Sequence, residues 1–338
     1  MNTKTLRVVI IGLISAVAIS VASFVWVFHS SGLLVHSGEY WLIIKEPVEA
    51  TSLRANEALT FTHPLNWQIA CGTKRLRTIK PGRYKLTSGM TYSEIIQELR
   101  SGGQPTVSVR IDDAECLEEL AAKLGAHLQQ DSAYFKNSFE DDSLLRILGI
   151  QKNELAATIR PNTYEFYWKM NAKTFLSMMK TESDRLWNTQ RRQQAQAIPL
   201  SPFEVVVLAS IVKAETGSVE EAPKIAGLYL NRLRIQMPLQ SDPTALFGKK
   251  NSAQRIYLSD LQNDSPYNTY LHRGLPPGPI NFPEASYIDA VLTAEQHDYL
   301  YMCAEPNGSG KHAFARTLAA HEVNRRNYIQ WLDKKGIR

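Results

Sequence analysis

From Val8 to Phe28 the chain runs for 21 residues without a charge, rich in Val, Ile and Ala. At about 1.5 Å per residue, a helix of that length crosses the ~30 Å hydrocarbon core of a bilayer. A cleaved signal peptide is the rival reading, but its apolar region is about 7–15 residues long and ends at a small-x-small site. Here Ala16-Val17-Ala18 falls inside the run, whose far end is Phe24-Val25-Trp26-Val27-Phe28-His29. The run is therefore expected to be an uncleaved, single-pass transmembrane anchor over 8–28. The absence of a closely following Cys argues against a lipid-modified terminus. Lys4 and Arg7 precede the run, while the stretch from His29 to Glu39 has no Lys or Arg. The positive-inside rule then places residues 1–7 in the cytoplasm and the body of the chain outside.

At 338 residues the chain has room for two or more domains. Three widely spaced cysteines, Cys71, Cys116 and Cys303, fit neither a disulfide framework nor a zinc site. They are expected to be isolated thiols, with one bridge as the alternative. The formal charge of +5 is modest. It is compatible with an acidic polymer or a membrane surface, and the absence of a basic-aromatic stripe argues against nucleic acid as a partner.

The expected fold class is α+β. Residues 39–113 alternate short strand-like runs with turn signals. Tyr40–Ile44, Thr78-Ile79, Arg83–Leu86 and Val107–Ile111 read as strands, and Thr91 as the cap of a helix over Tyr92–Arg100. Residues 114–194 are dominated by helical patterns, such as Leu117–Leu124 ending at Gly125, interrupted at Arg160-Pro161-Asn162-Thr163-Tyr164. The polar run Asn188–Ala197 is either the end of a long solvated helix or a hinge. A boundary near Ala195 opens a mixed α+β C-terminal domain over 195–338.

That domain begins with the most informative helix. Ser201 is a good N-cap, Pro202 suits the first helical position, and Glu204 completes a Ser-x-x-Glu capping box. Gly217 is the expected stop. Val205, Leu208, Ala209 and Val212 recur at the spacing of a buried face, and Glu215 falls on the same stripe. Partial desolvation and the negative end of the helix dipole both raise the pKa of such a carboxyl, as a general acid requires. The plain alternative is a solvated last-turn glutamate paired with Lys or Arg.

Several polar segments follow. A second helix, about Glu221 to Ile235, directs Ile225, Leu228 and Leu233 inward. Next come Leu239-Gln240-Ser241-Asp242-Pro243-Thr244, Tyr267-Asn268-Thr269-Tyr270, Gly274-Leu275-Pro276-Pro277-Gly278-Pro279-Ile280, and finally His312-Ala313-Phe314 and His321. Each alone is compatible with ordinary loop chemistry. Glu204 is explained by the capping box, and Glu220 and Glu221 by the first turn of a helix. His312 and His321 lack metal-ligand spacing, so no metal is expected. His312 reads as a surface histidine or as one that reaches the cleft.

Taken in order, these segments together with Ala209-Ser210-Ile211-Val212, Glu215-Thr216 and Asn231-Arg232-Leu233 resemble the endolytic murein transglycosylase (YceG-like) family of bacterial inner membranes. Arg160-Pro161-Asn162-Thr163-Tyr164 is similar to the family's Phe-Pro-Asp-Thr-Tyr. The chain departs from the family at Asp112-Asp113-Ala114, where Pro-Glu-Gly is usual, and at Lys213-Ala214-Glu215-Thr216, where Glu-Lys-Glu-Thr is frequent. Arg83 to Leu99 resembles a LysM motif, for which either packing or glycan binding remains open.

The resemblance implies an enzyme that cuts the β-1,4 bond between N-acetylmuramic acid and N-acetylglucosamine within peptidoglycan strands. It leaves 1,6-anhydro ends and uses no cofactor or metal. Glu215 corresponds to the acid/base. Gln240, Asp242, Thr244, Tyr267, Asn268 and Tyr270 are carried over as substrate-binding residues, although Asp242 also reads as the cap of its own turn. A hydrolytic muramidase using Asp242 as second carboxylate, and a non-catalytic glycan-binding scaffold, are the competing readings. The resemblance further implies an inner-membrane location, penicillin-binding proteins or other peptidoglycan synthases as partners, and termination of nascent strands.

Overall fold

The apolar run forms the helix it demands. α1 (Thr3–His29) contains a 20-residue stretch, Ile10–His29, of mean hydropathy 2.4, the one helix among the described residues long and apolar enough to cross a membrane by itself. The computed structural model describes residues 3–29, 32–35, 38–53, 59–102, 106–112, 114–248 and 258–336. Asp113, the last residue of the segment read from sequence as the first module, lies outside them. The chain divides into two compact units, Met1–Val107 with Glu165–Lys169, and Ser108–Tyr164 with Met170–Arg338. Three short antiparallel ladders in the first unit and helices in the second make this a mixed α+β protein.

In the first unit β1 (Leu33–Val35) pairs with β4 (Leu59–Phe61), β2 (Glu39–Ile44) with β6 (Gly82–Thr87), and β3 (Val48–Glu49) with β5 (Thr78–Ile79), all antiparallel. Helices α2 (Pro64–Thr73) and α3 (Tyr92–Arg100) complete it. Period-two alternation sorts β6: Tyr84 and Leu86 are fully buried, while the Arg83 guanidinium lies 4.2 Å from the Trp41 ring. Thr91 and Glu94 form both halves of a capping box, and Tyr92, Ile95, Ile96 and Leu99 then point into the core. Tyr92 donates its hydroxyl proton to the His63 carbonyl (2.8 Å) and accepts from the His63 N–H (2.9 Å), so it fixes the entry to α2.

β7 (Thr106–Arg110) and β8 (Thr163–Tyr167) pair as a two-stranded sheet, and the chain passes from one unit to the other within both strands. The second unit then holds α4 (Leu117–His127), α5 (Ser132–Glu140), α6 (Asp142–Ile147), α7 (Leu155–Thr158), α8 (Ala172–Leu186) and α9 (Thr189–Ala197). It continues with α10 (Pro202–Glu215), α11 (Ala222–Arg234), α12 (Asp242–Leu246), α13 (Leu258–Leu261), α14 (Ala285–Leu292), the hairpin β9 (Tyr301–Ala304) and β10 (His312–Ala315), and α15 (Leu318–Lys335). α4 runs two residues past the expected stop at Gly125. The polar run after Asn188 is neither a continuation of α8 nor a hinge but a separate helix, α9. Asn188 caps it by accepting from the Arg191 N–H at 2.9 Å. Arg191 then forks onto Asp289 of α14 through Nε (2.6 Å) and Nη2 (2.8 Å).

α10 is the axis of this unit. The sequence pattern gave it one apolar face, yet every residue from Val205 to Val212 is buried. The contiguous Val205-Val206-Val207 already breaks a one-faced pattern, and α7, α9, α11, α12 and α14 all pack against the helix. A helix apolar on all sides belongs inside a core. Ser201 and Glu204 cap its start in both directions.

Gly227 of α11 is a close-approach position, because a Cβ there would collide with the Glu295 carbonyl and lie 2.9 Å from His297 Nε2. Gly227→Ala is expected to cost about 1–3 kcal/mol by overpacking, read as a fall in melting temperature of about 2–4 °C per kcal/mol.

Candidate active site

α10 ends by delivering Glu215 to a polar cavity of about 540 Å³. The helix does not stop at a left-handed Gly217. Thr216 takes extended geometry (φ −142°), and its N–H still closes on the Val212 carbonyl. Three contacts hold this end still. Lys213 donates to the Phe282 carbonyl (2.9 Å) and pairs with Glu284 (2.7 Å). The Tyr287 hydroxyl donates to the Thr216 carbonyl (3.0 Å). One turn earlier, buried Ser210 accepts from the Ile280 N–H (3.0 Å), and its carbonyl accepts from Asn281 Nδ2 (2.8 Å). The loop from Gly274 to Ile280 is thereby tied to the helix that carries the acid.

Glu215 is half-buried, and its carboxyl is asymmetrically held. The Tyr229 hydroxyl of α11 donates to Oε1 at 2.8 Å, and the Ser241 hydroxyl donates to the same oxygen at 2.5 Å. Among the described residues no group donates to Oε2. When the group is protonated, Oε1 is already serving two donors, so the proton belongs on Oε2. Desolvation raises the pKa of Glu215 most; the two hydroxyls lower it, the Asp242 charge raises it, and His312 lowers it. The net direction is upward, the state a general acid needs. Burial likewise pushes Tyr229 well above its ordinary value.

The structure separates the sequence-selected residues into two groups. Gln240, Asp242 and Tyr270 line the cavity with Glu215. Tyr270 donates to Asp242 Oδ1 at 2.5 Å, and burial pushes its pKa up. Gln240 has φ +48°, a left-handed conformation that costs a non-glycine residue of order 1 kcal/mol. Thr244, Asn268 and Tyr267 are not in that cavity. Thr244 is fully buried, donates to the Ser241 carbonyl (2.6 Å) and shares a hydroxyl bond with Thr269 (2.8 Å). Asn268 is also fully buried, and its amide donates to the carbonyls of Asn263 (2.7 Å) and Leu261 (3.0 Å). Tyr267 packs on Phe247 (4.5 Å between rings), and a Cβ on Gly278 would come within 3.0 Å of its hydroxyl. These three hold the segments in place.

The residues that sequence reasoning passed over are equally informative. Ser241 lay inside a quoted segment, but nothing marked its hydroxyl as the partner of Glu215. Tyr229 sits in the middle of α11, where a helical pattern reads as packing, and Arg232, quoted within Asn231-Arg232-Leu233 but given no role, sits in its last turn. Arg232 is buried, donates to the carbonyls of Leu300 (2.6 Å) and Leu239 (2.6 Å), and lines the cavity. Glu221, explained from sequence by its place at the start of a helix, does stand at the start of α11 but is also buried and bound to His312 at 2.9 Å. His312 is correspondingly not a free surface histidine and lines the cavity. Among the described residues no cluster of His, Cys, Asp and Glu is arranged to hold a metal, and the three cysteines are free.

Fold and site define an α+β protein in which one desolvated carboxyl, fixed by two hydroxyls, faces a polar cleft. The model of the YceG-like family matches residues 43–327. The chain belongs to that family. It is 28% identical over 270 residues to the endolytic murein transglycosylase of Bacillus subtilis, covering 75% of this chain and 74% of that one. It is 25% identical over 297 residues to the endolytic murein transglycosylase of Streptococcus pneumoniae, covering 53% of that longer protein. The crystal structure of a YceG-like protein from Listeria monocytogenes superposes with a TM-score of 0.58 at 23% identity, over 85% of this chain and 99% of that one, which establishes the shared fold.

A carboxyl whose pKa is raised by folding stabilises the protein most at low pH, and that contribution is lost as pH rises through the folded-state value. Glu215→Gln keeps an acceptor for both hydroxyls without the buried charge. Its melting temperature is therefore expected to exceed that of the wild type by a few degrees near pH 8, with the gap closing toward pH 4. A constant gap across that range would contradict the raised pKa.

Proposed function

We propose that this protein is a membrane-anchored endolytic peptidoglycan lytic transglycosylase with Glu215 as its acid/base. The observation that carries this reading is the single carboxyl whose Oε1 is occupied by Tyr229 and Ser241 while Oε2 is left to the cavity. The names of the Bacillus and Streptococcus relatives support it. The substrate is the glycan strand, cut at the β-1,4 bond between N-acetylmuramic acid and N-acetylglucosamine.

Glu215 Oε2 gives its proton to the bridging oxygen as the bond to C1 breaks. The resulting carboxylate takes the proton of the muramyl C6 hydroxyl as that oxygen closes on C1. The product end is a 1,6-anhydro sugar, and no water is consumed. Ordinary glycosidases need two carboxyl groups, one of them to activate water or attack C1. An intramolecular nucleophile removes that need. Gln240, Asp242 and Tyr270 contact the sugars, while Thr244, Tyr267 and Asn268 keep the walls in register. α1 anchors the chain in the bacterial inner membrane, with Lys4 and Arg7 on the cytoplasmic side, and the body acts on nascent strands near their synthases to end elongation. The β6–α3 pair, LysM-like in sequence, serves packing, since Tyr92, Ile95, Ile96 and Leu99 are all buried.

One observation favours a second reading: Asp242 lines the same cavity and its charge reaches Glu215. A hydrolase would use it to activate water. Mass spectrometry of fragments released from purified peptidoglycan separates the two. Anhydro ends, one water lighter than reducing ends and reduced at least about 10³-fold by Glu215→Gln, are the expected result. Reducing ends would transfer the assignment to hydrolysis through Asp242, and no release would favour a glycan-binding scaffold.

The rate is expected to fall as pH rises through the Glu215 pKa. Tyr229→Phe removes a donor that favours the charged form, so that fall should move to higher pH; a shift downward would contradict the assigned bond.

A further inference from the structure

The apolar N-terminal helix does not end in a linker. Phe28, next to last in α1, is 3% exposed and belongs to the core of the first unit with Trp67, Ala70 and Cys71 of α2. The same helix is thus long and apolar enough to span a bilayer over Ile10–His29 and, in its last turn, a core element. Both ends of α2 reach that last turn. His63, the N-cap of α2, places its ring 5.1 Å from the Trp26 ring, and Lys74, the C-cap, places Nζ 5.4 Å from the centre of the Phe28 ring. Trp26 and Phe28 differ by about 3 Å of rise along α1, whereas α2 is about 15 Å long. α2 therefore crosses the exit of the span rather than running along it, at the level where Trp side chains sit in a membrane interface.

The two faces of α2 differ. Asn66, Trp67, Ala70 and Cys71 are buried, and the opposite face carries Leu65, Gln68, Ile69 and Gly72, all exposed and uncharged. Leu65 is 72% exposed and Ile69 52%, one turn apart on that face. A basic group follows at once. Lys74, Arg75 and Arg77 are exposed, and among the described residues none of them is in an ion pair. Arg75 stands against the preference of its own backbone, with φ +54°. The Arg75 N–H closes on the Gly72 carbonyl (3.1 Å) and the Leu76 N–H on the Cys71 carbonyl (2.9 Å). In such a helix ending, glycine is the residue without strain. An apolar face bordered by cations is the pattern of a helix that lies in a membrane interface.

We propose that α2 is a second membrane contact, an interfacial helix whose Leu65 and Ile69 enter the acyl region beside α1 while Lys74 and Arg75 bind lipid phosphate. This rests on the reading of α1 as the membrane anchor. The bilayer is the occupant because the face is continuous with the span. The core on which α2 packs lies beyond the end of the span, so the face turned away from that core is turned back toward the lipid. The first unit is then held to the leaflet at two places and does not swivel on its anchor.

The test uses the full-length protein in vesicles of phosphatidylcholine and phosphatidylglycerol. A fluorescent amino acid replaces Leu65, Ile69 or, within the span, Phe24, and a nitroxide is carried either on the lipid headgroup or on the acyl chain. Quenching at positions 65 and 69 is expected to be stronger from the acyl chain than from the headgroup, as at position 24. Arg75→Gly is expected to melt no lower than the wild type, since glycine suits the left-handed position. It is nevertheless expected to weaken docking about 5-fold, the loss of one cation near a charged surface, read as a larger phosphatidylglycerol fraction needed for the same quenching at position 65. Probes at 65 and 69 that are unquenched, or quenched mainly from the headgroup, overturn the proposal where the probe at 24 is quenched, and leave the face to a protein partner. An unchanged lipid dependence in Arg75→Gly overturns the role given to that cation. A probe at 24 that the acyl-chain nitroxide does not quench overturns the anchor reading itself.

Discussion

The constraint on which this structure turns is a carboxyl placed at the end of a helix that is buried on every side. An ionised group in such surroundings is costly, and an isolated one would simply stay neutral. The two hydroxyls on Oε1 adjust that cost. Each favours the charged form, yet burial outweighs both and the pKa remains raised. The group is therefore stable as an acid and tolerable as a carboxylate. That balance depends on position, and the surrounding contacts are concerned with position. Ser210 ties Ile280 and Asn281 to the middle of α10, Lys213 ties Phe282 and Glu284 to its last turn, and Tyr287 holds the carbonyl of Thr216. A carboxyl borne on a packed helix is aimed with less freedom than one on a loop.

The segment from Leu239 to Thr244 shows how the walls are divided between support and site. In regular extended backbone, alternate residues share a face, so Gln240, Asp242 and Thr244 would be equivalent. The left-handed Gln240 breaks that alternation just before α12 begins at Asp242. As a result Ser241 turns inward with its hydroxyl on Glu215, and Thr244 turns inward to hold Thr269. Asp242 stays at the cavity, where Tyr270 reaches it. The facing segment is matched: the Gln240 N–H binds the Thr269 carbonyl, and the Ser241 N–H binds the Thr269 hydroxyl. The strain at Gln240 is thus offset by a ladder of bonds that would not form in regular backbone.

What could be read in advance follows the range of the forces involved. Local signals were legible. The cap at Thr91 and the capping box at Ser201 both form, and the strands at Tyr40 and Arg83 lie where alternation placed them. The raised pKa of Glu215 followed from a carboxyl on an apolar helix. Contacts between distant segments were not legible. Glu221 and His312 stand 91 residues apart, and a first-turn glutamate looks the same whether it faces water or a buried imidazole. Gly217 looked like a helix stop, but Thr216 ends the helix in extended form and its hydroxyl bonds Glu221, a partner five residues later. Ordered polar segments say that a site exists. They do not say which of their side chains face it.

The neighbouring carboxylates differ from Glu215 in what holds them. Asp242 lines the cavity with Glu215, and Glu221 is bound to the His312 ring that borders it; each has a strong partner of its own, the Tyr270 hydroxyl and the His312 ring respectively. Tyr270 occupies Oδ1 of Asp242, and its raised pKa keeps it a donor rather than a second anion. The charge of Asp242 then acts on Glu215 through space, and it acts upward, in the same direction as burial. Glu221 is further committed, with both oxygens engaged by the backbone and ring of His312. Glu215 combines a pKa raised by desolvation with an oxygen, Oε2, to which no described group donates. On the proposed reading the chemistry falls on one atom, Oε2, with Asp242 acting through its charge and Glu221 through its bonds to His312.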